Sequence, residues 1–355
     1  MAEEKNVYTV RFEPVGVEME VEEGEIVLHA AFRQGIMLMH GCKEGQCSSC
    51  KSVLLEGDID LLKYSTFALP DYERNEDYVL LCRSKAYSDL VVELLTYDDE
   101  LLLGAMPIQE LPATITEIEE LTHDIRRLQI EVEEPFNFRA GHYVDITLPE
   151  YGVTRSYSMA NPPSEQNKLD FIIKIYPDGA FSSLLRDQLK PGDEVSIKGP
   201  YGTCFRRENA EGAMILVGGG SGMAPLWSIL NAHIEQGDHS RPVTFFYGAR
   251  TENDLFYLDK LAEIAQQLPN FRFVPGLSNL ENGSTWDGET GFIHTVVDRH
   301  FKEKGLGAPQ MEVYTCGPPP MIDALVPVLQ MNRVDQEHIF MDKFTPAPET
   351  LRNDK

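Results

Sequence analysis

The sequence predicts a multidomain chain in three parts. These are a small α+β unit over residues 1–100, an antiparallel β-barrel over 107–208 and a doubly wound α/β domain over 209–355. Three observations predict it. Four cysteines crowd between Cys42 and Cys82 in a compact α+β pattern. From Ala113 to about Arg207, short strand-like segments alternate with turns carrying Pro, Gly, Asn or Asp, the spacing of a barrel. After Gly212 strands alternate with helices, which implies a parallel sheet covered on both faces.

In the first part, residues 7–13 and 17–22 read as a hairpin around Pro14-Val15-Gly16, and 26–34 has helical apolar spacing. A Cys-rich loop spans 41–50, and strands are expected at 51–55, 78–82 and 90–95. The stretch 97–112, with Gly104, Pro107 and Pro112, reads as a linker. The barrel strands are expected at 113–119, 125–132, 142–148, 154–159, 169–175 and 194–198, with one helix at 181–189. The last part reads as strand 214–217, a glycine loop and a helix. After these come strand 243–247, helix 255–268, strand 271–274, helix 293–301, strand 311–316 and helix 319–331.

At 355 residues the chain has room for two or three cores, and no apolar run approaches the ~20 residues that span a bilayer. The opening Met1-Ala2-Glu3-Glu4-Lys5 lacks the basic and apolar regions of a signal peptide, so no membrane partner and a cytoplasmic location are expected. The net charge of −26 argues against a nucleic-acid partner, because phosphate binding needs clustered Lys and Arg. The charge serves solubility, or it makes an acidic docking face for a basic partner. Acidic residues gather around the cysteines: Glu44, Glu56, Asp58, Asp60, Asp71, Glu73, Glu76 and Asp77.

Cys42, Cys47 and Cys50 are spaced C-x4-C-x2-C, with Cys82 further on, which is the plant-type [2Fe–2S] spacing. Gly41 and Gly45 permit the backbone angles of a loop that wraps its ligand closely, and Ser48 and Ser49 are small. A zinc site is the competing reading, but zinc favours two short Cys pairs and only one Cys-x2-Cys pair is present. A plant-type cluster sits near about −400 mV, low enough to serve as an electron donor.

Arg155-Ser156-Tyr157-Ser158 falls on an expected barrel strand. Gly179-Ala180-Phe181-Ser182 opens a helix, whose N–H groups favour a phosphate. A cation, a helix N-terminus and an aromatic ring suit a ligand with a pyrophosphate and a flat ring. Gly218-Gly219-Gly220-Ser221-Gly222-Met223-Ala224-Pro225 follows a strand and opens a helix, so backbone can approach a pyrophosphate. Met223 stands where G-x-G-x-x-G needs its last glycine, which disfavours a standard Rossmann dehydrogenase. Tyr247-Gly248-Ala249-Arg250 ends the next strand, where a ribose would lie, and Glu252 and Asp254 beyond it disfavour a 2′-phosphate. Cys316-Gly317-Pro318-Pro319-Pro320-Met321 ends a late strand, the edge where ligands bind in such sheets, whereas Cys204 reads as a buried small residue.

Together these motifs resemble the ferredoxin–NAD(P)H reductase superfamily, and more narrowly the reductase components of bacterial multicomponent oxygenases. The resemblance covers nearly the whole chain, in the order [2Fe–2S] domain of β-grasp type, FAD barrel, NAD domain. Phe67-Ala68-Leu69-Pro70, Val79–Arg83 and Tyr87-Ser88-Asp89-Leu90 look most like reductases of soluble di-iron monooxygenases acting on propane, methane, tetrahydrofuran or phenol.

The resemblance implies that Cys42, Cys47, Cys50 and Cys82 hold the cluster. Arg155 would contact the FAD pyrophosphate, Tyr157 pack on the isoalloxazine and Ser158 hydrogen-bond flavin N5. Ile173 and Lys174 would flank the cofactor through backbone, and Gly179, Ser182 and Ser183 would hold its phosphates. Gly219, Gly220 and Gly222 would face the NADH pyrophosphate, with Cys316 near the nicotinamide's reacting carbon. Ser158 and Cys316 are thus the candidate catalytic residues. Phe344 matches an aromatic beside the flavin, although the chain continues eleven residues past it. Asn279 stands where NADP readers of the family often carry Arg, which favours NADH. The implied path runs from NADH to FAD, to [2Fe–2S], to the hydroxylase of a monooxygenase. The rivals are a reductase for a Rieske-type aromatic-ring dioxygenase and a redox sensor without turnover.

Overall fold

A computed structural model describes residues 6–103, 106–208, 212–280, 284–304 and 311–345. The opening pentapeptide, Gly104 of the expected linker and the residues after Thr345 lie outside the described residues. The chain divides into two compact units, Met1–Ile108 and Gln109–Lys355.

The first unit comprises β1 (Val7–Glu13), β2 (Val17–Glu22), α1 (Val27–Arg33), β3 (Lys51–Glu56), β4 (Ile59–Leu61), α2 (Asp71–Arg74), β5 (Tyr78–Leu80), β6 (Ser84–Ala86), β7 (Leu90–Leu94) and α3 (Asp99–Leu103). Its main sheet runs β2-β1-β7-β3-β5, with β1 parallel to β7 and antiparallel to β2. This is a β-grasp sheet. Val10 and Phe12 of β1 and Met19 and Val21 of β2 point to its buried side, as period-2 alternation requires. Cys82 lies in the turn after β5 rather than on the strand, and the hairpin pair β4–β6 and the short helices α2 and α3 carry no strong periodic signal. Helix α3 falls inside the stretch read as a linker.

The second unit begins with β8 (Gln109–Thr122), β9 (Ile125–Val132), β10 (Tyr143–Leu148), β11 (Val153–Ser158), β12 (Lys168–Lys174), α4 (Ala180–Asp187) and β13 (Glu194–Tyr201). The antiparallel order is β11-β10-β13-β8-β9-β12. The sheet curls until its edges meet: Met159 bridges Phe171, and the Ala160 N–H donates to Asp170 O at 2.7 Å. Phe136, Val144, Ile146, Phe171 and Ile197 fill the interior.

The remainder is β14 (Met214–Gly219), α5 (Met223–Gln236), β15 (Val243–Ala249), α6 (Leu258–Gln267), β16 (Phe271–Leu277), β17 (Glu289–Thr290), α7 (Ile293–Lys304), β18 (Glu312–Gly317), α8 (Pro319–Met331) and β19 (Ile339–Lys343). All its strands run parallel in the order β17-β16-β15-β14-β18-β19. The apolar run of β14 serves both faces. Met214 and Leu216 enter one core cluster, while Ile215 and Val217 enter the other. Strand β19 follows a polar stretch that gave no strand signal, and it borders β18 so that Phe344 falls beside Gly317.

Candidate functional site

In the first unit the loop from Gly41 to Cys50 coils tightly, with positive φ at Lys43, Gly45 and Ser48. Gly45 is needed twice over: its φ is +70°, and a Cβ there would meet Arg83 Cγ and Tyr64 Cβ, both at 2.9 Å. The cysteine sulfurs come together as two hydrogen-bonded pairs, Cys42 with Cys47 and Cys50 with Cys82. The backbones are tied as well, since the Leu81 N–H donates to Cys50 O at 3.1 Å.

Amides point at the sulfurs. Glu44 and Gln46 N–H groups donate to Cys42 Sγ at 3.4 and 3.2 Å, and the Cys42 N–H donates to Cys47 Sγ at 3.2 Å. The hydrogen bond from Cys42 brings the Cys47 thiol down to about 5. A single zinc ion would draw its ligands around one point, whereas these sulfurs stand in two pairs, and among the described residues no three of them lie within 4.8 Å of one another. Two pairs of sulfurs with donated N–H groups fit a two-iron cluster.

In the second unit, Arg155 and Tyr157 share one face of β11. The Arg155 guanidinium donates to Thr154 O at 2.7 Å and has no carboxylate partner among the described residues. The Tyr157 ring lies 4.9 Å from that of Phe181, the second residue of α4. The first turn of α4, whose N–H groups have no partners within the helix, therefore faces the strand carrying Arg155. Burial pushes the Tyr157 hydroxyl up, so it stays neutral.

The two serines of α4 are engaged locally. Ser182 Oγ accepts from the Tyr176 N–H at 3.1 Å, and Ser183 Oγ donates to Pro177 O at 3.0 Å. A Cβ on Gly179 would lie 2.2 Å from Ser182 Oγ, so a larger residue there would have to turn that hydroxyl away from Tyr176. Any anion here meets backbone N–H groups first. Ser158 is buried, Ile173 is fully buried, and Lys174 Nζ bonds Asp124.

The glycine loop leaves β14 at Gly219, turns through Gly220 and Gly222 and enters α5. A Cβ on Gly222 would stand 2.0 Å from Cys316 O, so β14 and β18 approach here as only glycine allows. The Tyr247 hydroxyl donates to Gly220 O at 2.9 Å. Cys316 Sγ points into the core, 3.7 Å from Cys204 Sγ, and burial pushes its thiol well up. Cys316 thus offers a strand end and a packed neutral thiol. The Phe344 N–H donates to Gly317 O at 2.9 Å, and its ring packs on the same cluster.

Strand β11 and the glycine loop are held together. Ser228 Oγ of α5 donates to Asn161 O at 2.7 Å, three residues after Ser158, and one apolar cluster runs through Ile125, Ala160, Ile172, Cys204, Met223 and Cys316. The arrangement sets a glycine loop open to a close-approaching ligand next to a strand suited to a flat ring, a geometry compatible with two-electron transfer between nucleotide cofactors.

Three family models match in chain order: the 2Fe-2S iron-sulfur cluster binding domain over 10–87, the oxidoreductase FAD-binding domain over 112–205 and the oxidoreductase NAD-binding domain over 216–326. The reductase component of propane 2-monooxygenase from Mycolicibacterium smegmatis is 45% identical over 95% of this chain and 97% of its own length. The chain belongs to the reductase components of multicomponent monooxygenases.

The phenol 2-monooxygenase reductase component of a Pseudomonas species is 38% identical over 96% of this chain and 95% of its own. Among solved structures, an Amycolatopsis cytochrome P-450 reductase matches with a TM-score of 0.85 at 31% identity, covering 96% of this chain and all of that one. The ferredoxin reductase in carbazole 1,9a-dioxygenase matches at 0.76 and 31%, covering 96% of this chain and 99% of that one. The protein is therefore an oxidoreductase of the NAD(P)H ferredoxin-reductase type with NAD, FAD and [2Fe–2S] domains, and it passes electrons from NADH through FAD and the cluster to an oxygenase component.

The structure also brings two residues the motifs do not mark, His123 and Asp124, onto Arg250 and Asp254. Arg250 Nη2 lies 3.0 Å from Asp124 Oδ2 and 2.6 Å from Asp254 Oδ1. His123 Nε2 is 3.3 Å from the same Asp124 oxygen. Burial pushes Asp124 up, but Lys174, His123 and Arg250 outweigh it and hold it below the usual carboxylate range. Asp254 behaves alike, with Arg250 and Thr251 overcoming burial. Asp124 sits in the β8–β9 turn, far in sequence from Arg250, so no local pattern pairs them.

Proposed function

We propose that the electron acceptor is the di-iron hydroxylase of a propane- or phenol-type monooxygenase, that the donor is NADH rather than NADPH, and that the reductase works in the cytoplasm. The observation that carries the reading is the pairing of a two-nucleotide site in one compact unit with a paired-cysteine loop in the other. Identity of 45% and 38% to propane and phenol reductases, against 31% to the carbazole dioxygenase reductase, supports the choice of hydroxylase. Among the described residues no helix is long and apolar enough to cross a membrane.

Bound FAD supplies a carrier that accepts a pair of electrons from NADH and releases them singly, which the cluster requires. The protein's part is placement. Arg155 and the α4 N–H groups would hold a pyrophosphate, Tyr157, Ser158, Ile173 and Lys174 would flank the flavin, and Phe344 would pack near it. Gly179, Ser182 and Ser183 shape the turn that would take its phosphates. Gly219, Gly220 and Gly222 would admit the second nucleotide, with the Cys316 strand end beside it. Cys42, Cys47, Cys50 and Cys82 would hold the cluster.

Mixed with NADH and the hydroxylase and coupling protein of a propane-type system, the reductase should support substrate oxidation. A ring dioxygenase in their place should give only uncoupled NADH oxidation, and efficient turnover there would favour the rival reading.

The same assay reads docking. Phe67, 94% exposed, is linked to the cysteine loop through the neighbouring Ser65 N–H to Gly45 O, and Glu44, Asp71 and Glu76 are exposed nearby in sequence. Glu73 is instead paired with Lys51 within the unit, which makes it a poor probe. Electron transfer to the hydroxylase should slow about three- to tenfold as salt rises, and Glu76→Lys should slow it similarly at low salt. A salt-independent rate under association-limited conditions would return the −26 charge to solubility alone.

A further inference from the structure

We infer that Asp124 is a specificity-determining residue for the nicotinamide nucleotide: by occupying Arg250, it keeps the reductase from using NADPH. The inference rests on the NADH reading above and gives it a cause.

Arg250 follows the carboxyl end of β15, the strand next to the one that carries the glycine loop. In open parallel sheets this is where the ribose 2′ position falls, and an Arg there ordinarily welcomes a 2′-phosphate. An open cleft of about 570 Å3 lies at the spot, lined by His123, Arg250, Thr251, Asn253, Asp254 and Asn279. By position alone Arg250 would make this an NADPH enzyme.

Its surroundings reverse that. Asp254, on the same segment, takes the guanidinium at 2.6 Å and is fixed in turn by the Thr251 N–H at 2.9 Å. Asp124 reaches across from the barrel to the same Nη2 at 3.0 Å. Both carboxylates are largely shielded, with side chains 19% and 12% exposed, so water screens them little from an arriving phosphate. A 2′-phosphate would have to displace two carboxylates and bear their repulsion, whereas a 2′-hydroxyl can donate to either. Asn279, whose N–H donates to Arg250 O at 2.8 Å, brings no charge. Lys174 also pairs with Asp124, and His123 Nε2 lies 3.3 Å from the same carboxylate. Removing that single charge leaves Arg250 with Asp254 as its one carboxylate partner among those placed here and frees Lys174, so Asp254 then neutralises only part of the positive charge.

The test measures kcat/KM for NADH and NADPH on the flavin-loaded enzyme. Wild type should prefer NADH; if it prefers NADPH, the NADH reading itself fails. Asp124→Asn should raise kcat/KM for NADPH about 10- to 100-fold, the worth of one or two charge-assisted hydrogen bonds, with NADH changed by less than about threefold. Adding Arg250→Ala to that variant should erase the gain. If wild type prefers NADH but Asp124→Asn leaves NADPH use unchanged, or shifts both nucleotides alike, Asp124 only joins the two lobes and the inference is wrong.

Discussion

Cys50→Ala should cut electron delivery to the oxygenase by at least about 100-fold while leaving reduction of the flavin by NADH within about twofold of wild type. Cys50 is buried, its sulfur pairs with Cys82, and its carbonyl anchors the Leu81 N–H. Removing the sulfur leaves one iron of a two-iron cluster a ligand short. Flavin chemistry is spared because Arg155, Tyr157, the α4 turn and the glycine loop all belong to the separate compact unit Gln109–Lys355. Stopped-flow absorbance separates the two steps. If flavin reduction also disappears in a variant that retains its FAD, the division of labour between the units is wrong.

Gly222→Ala should have the opposite signature. Gly222 has ordinary helical backbone angles, so an alanine suffers no conformational strain, and the whole effect comes from contact. Its Cβ would stand 2.0 Å from Cys316 O and 2.6 Å from Cys316 C, backbone atoms that cannot rotate away. Relief requires β14 and its loop to move off β18 by about an ångström, and displacements of that size cost on the order of 100-fold in catalysis. We expect kcat/KM for NADH to fall by that factor, while the cluster, reduced chemically, still passes electrons to the oxygenase. Thermal unfolding checks whether the loop has yielded or the domain has. Near-normal NADH kinetics would mean the loop does not carry the nucleotide.

Much of this was legible in the sequence, for reasons that differ between the units. The α/β part announced itself because β14 is apolar on both faces and must be covered by helices on both. The cysteine spacing was readable because four ligands around a small cluster impose short, fixed separations. The sequence was less informative where structure depends on distant contacts. Strand β19 has no alternation of its own and exists because β18 offers it an edge. Cys204, which reads as inert packing, touches Cys316. Ser182 and Ser183, suited by type to phosphate, spend their hydroxyls on the turn before α4. Arg250 was visible as a cation at the ribose position, but the Asp124 that neutralises it lies more than a hundred residues earlier, on a turn with no motif.

The most direct test of the central claim is an anaerobic NADH titration of the purified chain, followed by flavin absorbance and by electron paramagnetic resonance of the iron. Bleaching of the flavin should accompany the signal of a reduced two-iron cluster, with an uptake of about three electrons per chain, two in the flavin and one in the cluster. A flavin that bleaches while the iron stays oxidised, or a chain that holds zinc at its cysteines, would contradict it.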